Sequence, residues 1–444
     1  MSLRRAGLPL AMFLLSPLAL RAQSSNLRDL LTNFLRQGIT LAPPPAGFPS
    51  HEAHFIGDDS PQFQAVQQLN GLIANQLSSF PLASSAGGFT YTFDPALGVF
   101  VRSSESFGPV YAERADTLGK GKINMGINFS HSTFDDINGL SLRDGGLKLV
   151  FTHQDVNHDH SNEEPFFEGD VIQATLDAKI DTDITAFVMS FGVTDRLDFG
   201  LAVPIVKVSI DAITNAEIDR LATGTTAPGI HRFQNGGDSE TFEQSGSASG
   251  VGDVVLRAKY RLSPGTNWGL ALGFDTRLPT GDAENLLGTG ATQLKPYVIG
   301  SAHFGAFSPH INVGYVWSVH PQDGKHIPDE LSYTGGFDWA LNPRLTFVMD
   351  VLGRTFINTQ VVQVVNTRFE ANTNTDPTGA PDLVFATLPT LVTEKGNINT
   401  VLGSVGFKVN PVGELLITIN GLFSINKQGL TDNFTPLIGL DYSF

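Results

Sequence analysis

One stretch of the sequence combines the side chains that bind metal ions in proteins. The run "HQDVNHDHSNEEPFFEGD" (153–170) holds His153, His158 and His160 among six acidic residues. Imidazole and carboxylate groups together can hold a divalent cation. The spacing matches no fixed ligand pattern, and a cluster of charges is more often the solvated surface of a loop. We therefore expect no metal site here.

Patterns that would indicate catalysis are incomplete. The glycine-rich run "TGDAENLLGTGAT" (280–292) lacks the Gly-Lys-Ser/Thr of a phosphate-binding loop. No serine stands in a Gly-x-Ser-x-Gly motif. A hydrolase embedded in the fold would need a Ser–His pair, which spacing alone does not reveal, and it is the least favoured of three functional hypotheses. We expect no enzyme activity, no catalytic residue and no cofactor.

The start of the chain and its composition limit the class of protein. Residues 1–22 combine Arg4 and Arg5 with an apolar stretch and a small residue before Gln23, which is typical of a secretory signal peptide. The net charge of −16 excludes nucleic acid as an expected partner, because phosphates attract basic surfaces. After residue 22 no apolar run reaches the ~18 residues of a membrane helix. A secreted β protein or a membrane β-barrel remains.

From Lys120 onward, apolar and polar residues alternate in runs of about ten residues, as in "WGLALGFDTRL" (268–278). This period and length are the signature of transmembrane barrel strands. Tight turns such as 194–196 alternate with long polar connections such as 211–248 and 356–396. Outer-membrane barrels have this arrangement, with short periplasmic turns and longer external loops.

The pattern predicts an all-β fold, a transmembrane antiparallel β-barrel over residues 120–444 that follows a small helical segment over 23–119. Twelve strands are expected, or fourteen if 146–154 and 170–181 form a further transmembrane pair rather than a hairpin outside. At Pro204 the apolar phase changes, which predicts a β-bulge.

The segment 23–119 contains two amphipathic helices and a hairpin, too little to form a large core alone. It is expected either to plug the lumen or to cap the barrel on the periplasmic side. As a plug it would dock through polar groups, with its apolar faces packed on each other. Removing residues 23–104 would then leave a folded barrel with a higher conductance.

Charged residues occupy the strand face opposite the apolar one, and in a barrel this face lines a wet lumen. The lumen-lining candidates are Asp198, Arg257, Lys259, Arg261, Asp275, Arg277, Asp338, Asp350, Arg354 and Lys408.

The last run, "FTPLIGLDYSF" (434–444), alternates in the same way. It places Ile438, Leu440, Tyr442 and Phe444 on one apolar face. A strand that ends in x-Tyr-x-Phe resembles the recognition signal that outer-membrane proteins present to the barrel assembly machinery. These four residues are therefore the expected assembly signal.

Three motifs resemble those of one bacterial family: "FGVTDRLDFGLAVPIV" (191–206), "GVGDVVLRAKYRL" (250–262) and "LPTGD" (278–282). Together they resemble the outer-membrane barrel family named for the meta-pathway of phenol degradation. More distantly, the chain is similar to fatty-acid and aromatic-hydrocarbon uptake channels. The resemblance implies a transporter in the bacterial outer membrane. Because the motifs are turns and strand ends, it implies no substrate-binding residue.

We expect a channel for the passive passage of small hydrophobic or aromatic molecules. Its expected partners are that small-molecule cargo, outer-membrane lipid and the barrel assembly machinery. The alternative is a structural or adhesive surface barrel whose long external loops are the working part.

Overall fold

The computed structural model describes residues 26–43, 55, 61–79, 81–84, 88–94, 99–155, 166–224, 229–263, 267–319, 321, 327–376 and 378–444. The predicted signal peptide over residues 1–22 lies outside the described residues. So does most of the candidate metal-binding run, from residue 156 to 165.

Two α-helices and nineteen strands form within these residues. The helices are α1 (Leu30–Gly38) and α2 (Pro61–Ser78). The strands are β1 (Tyr91–Asp94), β2 (Val99–Arg102), β3 (Ile123–Phe134), β4 (Asp136–Ile137), β5 (Leu140–Ser141), β6 (Leu147–Thr152), β7 (Val171–Gly192), β8 (Leu197–Asp219), β9 (Ser239–Val251), β10 (Val255–Ser263), β11 (Trp268–Arg277), β12 (Thr292–Ala302), β13 (Phe307–Val319), β14 (Asp329–Asn342), β15 (Leu345–Asn372), β16 (Leu383–Val412), β17 (Leu415–Ser424), β18 (Leu430–Thr431) and β19 (Thr435–Ser443). Within the described part of the chain, no helix is long and apolar enough to cross a membrane.

Twelve strands close into an antiparallel barrel, which confirms the predicted fold class. The order around the wall is β3, β7, β8, β10, β11, β12, β13, β14, β15, β16, β17 and β19. The pairing of β19 with β3 closes the wall, with Tyr442 opposite Met125. Closure leaves no unpaired edge among the wall strands, as a bilayer requires.

The predicted count of twelve strands is confirmed and the alternative of fourteen is not, because β7 is one strand of 22 residues. The wall strand β3 pairs with β7 from Ile180 to Phe191. The short strand β6 pairs with the beginning of the same strand, from Val171 to Leu176. Residues 147–152 therefore extend the sheet beyond β3 and do not cross the membrane separately.

The two ends of the barrel differ in their connections. Short turns at 193–196, 343–344 and 413–414 lie at one end, which we call the periplasmic end. Long connections and the extensions of β7, β8, β15 and β16 lie at the other, the outer end.

The apolar face of β7 changes sides along its length. Phe187 and Met189, toward the periplasmic end, point outward and are exposed, whereas Ile172, Leu176 and Ile180, toward the outer end, point inward and are buried. Outward apolar side chains suit lipid, and inward ones suit a part of the wall that has water outside. The change therefore locates the outer boundary of the membrane between Ile180 and Phe187.

The same change explains Pro204, where a bulge in its own strand was predicted. The prediction is wrong for β8, because its pairing with β7 continues without a shift through Ala186 opposite Pro204. The extra residue is in the neighbouring strand, where β9 ends opposite Ile205 and β10 begins opposite Ala202. The backbone N–H of Gly252 donates to the Pro204 carbonyl over 2.8 Å in this gap. The apolar side chains of β8 switch faces at Pro204 because the strand leaves the membrane there. The pairing of β8 with β7 does not shift.

At the outer end a hydrophobic core joins the two helices to the barrel wall. Its members include Leu31, Phe34, Leu69 and Ile73 of the helices and Ile172, Leu176, Val208 and Ile210 of β7 and β8. The helices were expected to pack only on each other, but they also pack on this inward apolar face. The outer extensions of the strands thus supply the partner that the helices need.

Below that core, the outside of the wall is an apolar belt. Exposed side chains of the belt are Met125, Phe129, Phe199, Tyr260, Trp268, Leu272, Phe274, Val298, Ile311, Trp339, Phe407, Ile419, Ile438 and Leu440. An apolar exterior on a closed barrel with short turns at one end is the outer-membrane arrangement. The protein is an outer-membrane β-barrel.

Candidate functional site

All ten predicted lumen-lining residues lie on the inner face of the wall. Six are buried, namely Asp198, Lys259, Asp275, Asp338, Asp350 and Lys408. The other four, Arg257, Arg261, Arg277 and Arg354, are half-buried. The inner and outer faces alternate strictly, since Asp350 is 0% exposed and its neighbour Met349 is 37% exposed.

A stretch of chain that precedes the barrel runs along this inner face. We call residues 103–119 the lumenal segment. Its backbone donates to wall side chains, with Phe107 N 3.1 Å from Thr346 Oγ1 and Leu118 N 3.0 Å from Asp198 Oδ2. These donors have no helix or strand partners, so the wall supplies the acceptors that buried N–H groups need.

Glu113 is the centre of one ionic cluster between the lumenal segment and the wall. Its carboxylate pairs with Arg257 and lies 3.5 Å from Lys259 Nζ. It also accepts from Ser84 Oγ over 2.7 Å. Arg257 in turn donates to both oxygens of Asp275, over 2.8 and 2.7 Å. Burial alone would raise the pKa of Glu113, but the two cations and the serine outweigh burial and lower it.

A second ionic cluster involves Asp116, which accepts from His303 Nε2 over 2.6 Å and lies 3.4 Å from Arg261. Burial would raise the pKa of Asp116, yet the hydrogen bond from His303 and the nearby cations lower it. Beside it, the guanidinium of Arg114 lies 3.4 Å from Asp338. The charges of the lumenal segment and the wall therefore neutralise each other in pairs.

The wall residues Lys408 and Asp350 complete these contacts. Lys408 Nζ donates to the carbonyl oxygen of Pro109 over 2.7 Å. Asp350 accepts from His310 Nε2 over 2.6 Å, and His310 Nδ1 lies 3.4 Å from Asp338. Asp350 also accepts from the backbone N–H of Tyr111 over 3.4 Å, so both wall residues bind the backbone of the lumenal segment.

Acid should release the lumenal segment. Because the pKa values of Glu113 and Asp116 are lowered on docking, the docked state is stabilised above the ordinary values of 4.5 and 3.8 and loses that stabilisation as the pH falls through the lowered values. We expect the conductance of the protein in planar bilayers to rise as the pH falls below about 4.5, the ordinary pKa of a glutamate. The variant Glu113→Gln should conduct more at neutral pH and show a smaller rise. Equal, flat pH profiles for both proteins would contradict this.

The chain before the lumenal segment contacts both ends of the barrel. At the outer end, Gln76 Oε1 of α2 accepts from the backbone N–H of Leu430 over 2.7 Å. At the periplasmic end, the Tyr91 hydroxyl donates to Glu414 over 2.7 Å. Between them the backbone N–H of Ser84 donates to the carbonyl of Val110 over 2.7 Å.

Two predicted wall arginines bind the end of α2. Arg277 donates to the carbonyl oxygen of Ser78 over 3.1 Å, and Arg354 donates to Ser79 Oγ over 2.9 Å. Arg354 also forms an ion pair with Glu330. No carboxylate among the described residues lies within ion-pair distance of Arg277.

A cavity of about 150 Å³ lies between the wall and the side of the chain formed by Ser79, Pro81, Leu82 and Ala83. We call it the chamber. Its polar lining residues include Arg257, Asp275, Arg277, Gln293, Lys295, Glu330 and Arg354. Its apolar lining residues include Pro81, Leu82, Ala83, Leu201, Ala202, Val255, Val316 and Leu352. The chamber can therefore contact both the polar and the apolar parts of a small molecule.

The lumen also contains a serine, a histidine and an aspartate that are linked in a row by hydrogen bonds. His303 Nδ1 lies 3.0 Å from Ser308 Oγ, and Asp116 is bound to the other ring nitrogen. Ser308 is buried and also accepts from Ser106 Oγ over 3.3 Å. The geometry resembles a nucleophile, base and acid, but the serine is covered by the lumenal segment.

Sequence reasoning missed several residues of this site. Lys295, His310 and Glu330 share the inward phase of their strands, so the alternation that found Asp275 could have found them too. The charges at 113, 114 and 116 lie outside any strand, and no periodicity marks them.

The metal hypothesis concerns residues only partly described. At one end of the run, Asp170 is buried and accepts from Thr223 Oγ1 over 2.6 Å and His231 Nδ1 over 2.8 Å. Across the described part of the chain, no three acidic or histidine residues converge as ligands.

The chain was compared with known proteins. A family model described as "Putative MetA-pathway of phenol degradation" matches residues 163–351. No curated protein matches the chain. The structure of an outer membrane channel from Pseudomonas putida F1 is 14% identical with a TM-score of 0.43, covering 76% of this chain and 100% of that one.

Two further solved structures are similar at lower scores. They are the toluene transporter TbuX of Ralstonia pickettii and a FadL homologue of Pseudomonas aeruginosa, each 13% identical with a TM-score of 0.30. Each covers 83% of this chain, and the match spans 99% and 96% of their own lengths. Scores this low carry no information about cargo. The family-model match includes all three sequence motifs and confirms, over residues 163–351, the resemblance to the outer-membrane barrel family named for the meta-pathway of phenol degradation.

Proposed function

We propose that the protein is an outer-membrane channel for the passive passage of small hydrophobic or aromatic molecules. The observation that carries the proposal is the chamber, a small and partly open cavity inside a closed barrel. A cavity of about 150 Å³ has the volume of an engineered protein cavity that binds benzene. Its apolar lining residues, among them Leu82, Val255 and Leu352, suit a ring or a short hydrocarbon chain.

We also propose that residues 23–119 act as a removable plug of this channel. The lumenal segment lies in the lumen toward the periplasmic end, and its wall contacts combine ion pairs and hydrogen bonds with apolar contacts of Phe107, Val110 and Ala115. When the segment moves and the buried partners of Glu113 and Asp116 become solvated, their regained hydration offsets much of the lost ion-pair attraction. A periplasmic cap, the competing hypothesis, would not be expected to pair with Asp338 or Lys259, whose side chains are buried on the inner face of the wall.

A liposome-swelling panel tests the proposed function. Vesicles that contain the protein should swell in small aromatic solutes faster than in sugars of larger size. Empty vesicles and vesicles with heat-unfolded protein are the controls. No swelling with any solute would favour the surface-barrel alternative, in which the long β15–β16 hairpin at the outer end is the working part.

The hydrolase alternative has one observation in its favour, the hydrogen-bonded row of Ser308, His303 and Asp116. Because Ser308 is 1% exposed, a substrate could reach it only after the lumenal segment leaves. Ester hydrolysis by the folded barrel that is lost in Ser308→Ala would support this alternative. We expect no such activity.

The assembly role of Ile438, Leu440, Tyr442 and Phe444 stays a prediction. All four point outward and are exposed on β19 or at its end. The rings of Tyr442 and Phe444 meet edge to face at 4.7 Å. An exposed apolar row of this kind is available to another protein or to lipid.

A further inference from the structure

Two cations of the chamber form no ion pair with any carboxylate of the described residues. Arg277 makes one hydrogen bond, to the carbonyl of Ser78, and Lys295 Nζ lies 5.5 Å from the centroid of the Tyr297 ring. Asp275 is directly opposite Lys295 on the neighbouring strand, and Gln293 is opposite Arg277. The two cations are therefore diagonal neighbours on β11 and β12, close enough to act on one ligand.

The carboxylates near these cations are already engaged. Asp275 accepts two hydrogen bonds from Arg257 and one from the Tyr297 hydroxyl over 3.0 Å. Glu330 is paired with Arg354. Asp253 accepts from the backbone N–H of Gly281 over 3.1 Å and from Thr289. Among the described residues, none of these carboxylates forms an ion pair with Arg277 or Lys295.

Unpaired cations in a partly buried chamber are costly unless a ligand or water compensates them. A carboxylate would compensate both, since a guanidinium and an ammonium each form charge-assisted hydrogen bonds with it. Leu82, Val255 and Leu352 also line the chamber, and Val255 is directly opposite Arg277 on the neighbouring strand. The chamber thus places apolar side chains next to its cations.

We propose that the chamber is a binding site for small amphiphilic monocarboxylates of about the size of benzoate, held by Arg277 and Lys295 at the carboxylate and by the apolar lining residues at the ring. As a statement about cargo, this inference rests on the proposed function. It narrows the cargo from hydrophobic molecules in general to molecules that carry one negative charge. Of two molecules with the same shape, the chamber should bind the negatively charged one more tightly.

The test compares three probes with the full folded protein in detergent, by titration calorimetry at constant ionic strength. The probes are benzoate, its neutral isostere benzamide, and acetate, which keeps the charge and lacks the ring. Benzoate should bind about tenfold more tightly than either of the other two, because one charge-assisted contact or one buried ring is worth about that factor. The inference would be overturned if benzamide, or acetate, bound as tightly as benzoate.

Two variants locate the site. Lys295→Gln and Arg277→Gln should each weaken benzoate binding by about tenfold and leave benzamide binding unchanged. The matched controls Lys148→Gln and Arg196→Gln change exposed charges outside the lumen and should bind benzoate as the unchanged protein does. An equal loss in the controls would overturn the inference. A heat-modifiable band on gels verifies folding, and if neither chamber variant folds, the three-probe comparison on the unchanged protein still decides.

Swelling measurements separate this inference from the proposed function. If benzoate binds selectively but vesicles do not swell in it, the binding site is supported and passive passage is rejected. Swelling in neutral aromatic solutes with no preference for benzoate in binding would retain the channel and overturn the monocarboxylate site.

Discussion

Deletion of residues 23–104 is expected to raise the single-channel conductance severalfold and to weaken selectivity. The deleted residues include both helices and the hairpin, which tie the lumenal segment to the two ends of the barrel. The barrel itself should fold, because its twelve wall strands are paired without them. The outer extensions of β7 and β8 should loosen, since Leu69 and Ile73 no longer cover their inward face.

A second, longer deletion is the matched comparison. Removing residues 23–118 also takes away Glu113, Arg114 and Asp116, so the conductance should rise further. If the shorter deletion leaves the conductance unchanged and the longer one does too, the segment lies outside the conducting path and the plug proposal fails. Single-channel recordings in planar bilayers measure both variants.

Leu272→Arg should destabilise the barrel by about 2–4 kcal/mol, the cost of placing an arginine on the lipid face near the midplane. Leu272 is 46% exposed at the middle of β11 and lies between Tyr260 and Val298 of the neighbouring strands, which are also exposed. Denaturant unfolding in lipid vesicles, followed by tryptophan fluorescence, gives the free energy of unfolding.

The control for that variant is Ser209→Arg, which adds the same charge to the outer face beyond the membrane. Ser209 is opposite Asp181 on β7 and Ser247 on β9, in polar surroundings. Its free energy of unfolding should change by less than about 0.5 kcal/mol. Equal costs for the two variants would mean that the belt does not face lipid.

The barrel was predictable because a period of two is visible in the sequence wherever lipid and lumen are both present. On β11, Leu272 and Phe274 alternate with Ala271 and Asp275, and the structure has the same faces. The alternation led to a wrong prediction in the outer parts of the strands, where lipid no longer covers the outside of the wall. Beyond Pro204 the inner face is the apolar one, and a change of environment looked like a change of register.

The contents of the lumen were less predictable. The strand phase placed Arg257 inward, but its partner Glu113 is 144 residues away in a segment without periodicity. Likewise, nothing local pairs Asp116 with His303. Such contacts depend on how the segment threads the closed barrel, which the order of residues does not show.

The central claim, that passage requires movement of the lumenal segment, can be tested with one engineered disulfide. Ser106 of the segment and Ser308 of the wall have Oγ atoms 3.3 Å apart, and the chain has no cysteine of its own. The double variant Ser106→Cys, Ser308→Cys should therefore form a single defined bond, because a small side-chain rotation brings the sulfurs to bonding distance.

Vesicle swelling in benzoate is the measurement, with each single-cysteine variant as its control. The oxidised double variant should swell little, reductant should restore swelling to the level of the single variants, and the single variants should not respond to reductant. Swelling of the cross-linked protein at the full rate would contradict the account, since solutes would then pass without any movement of the segment.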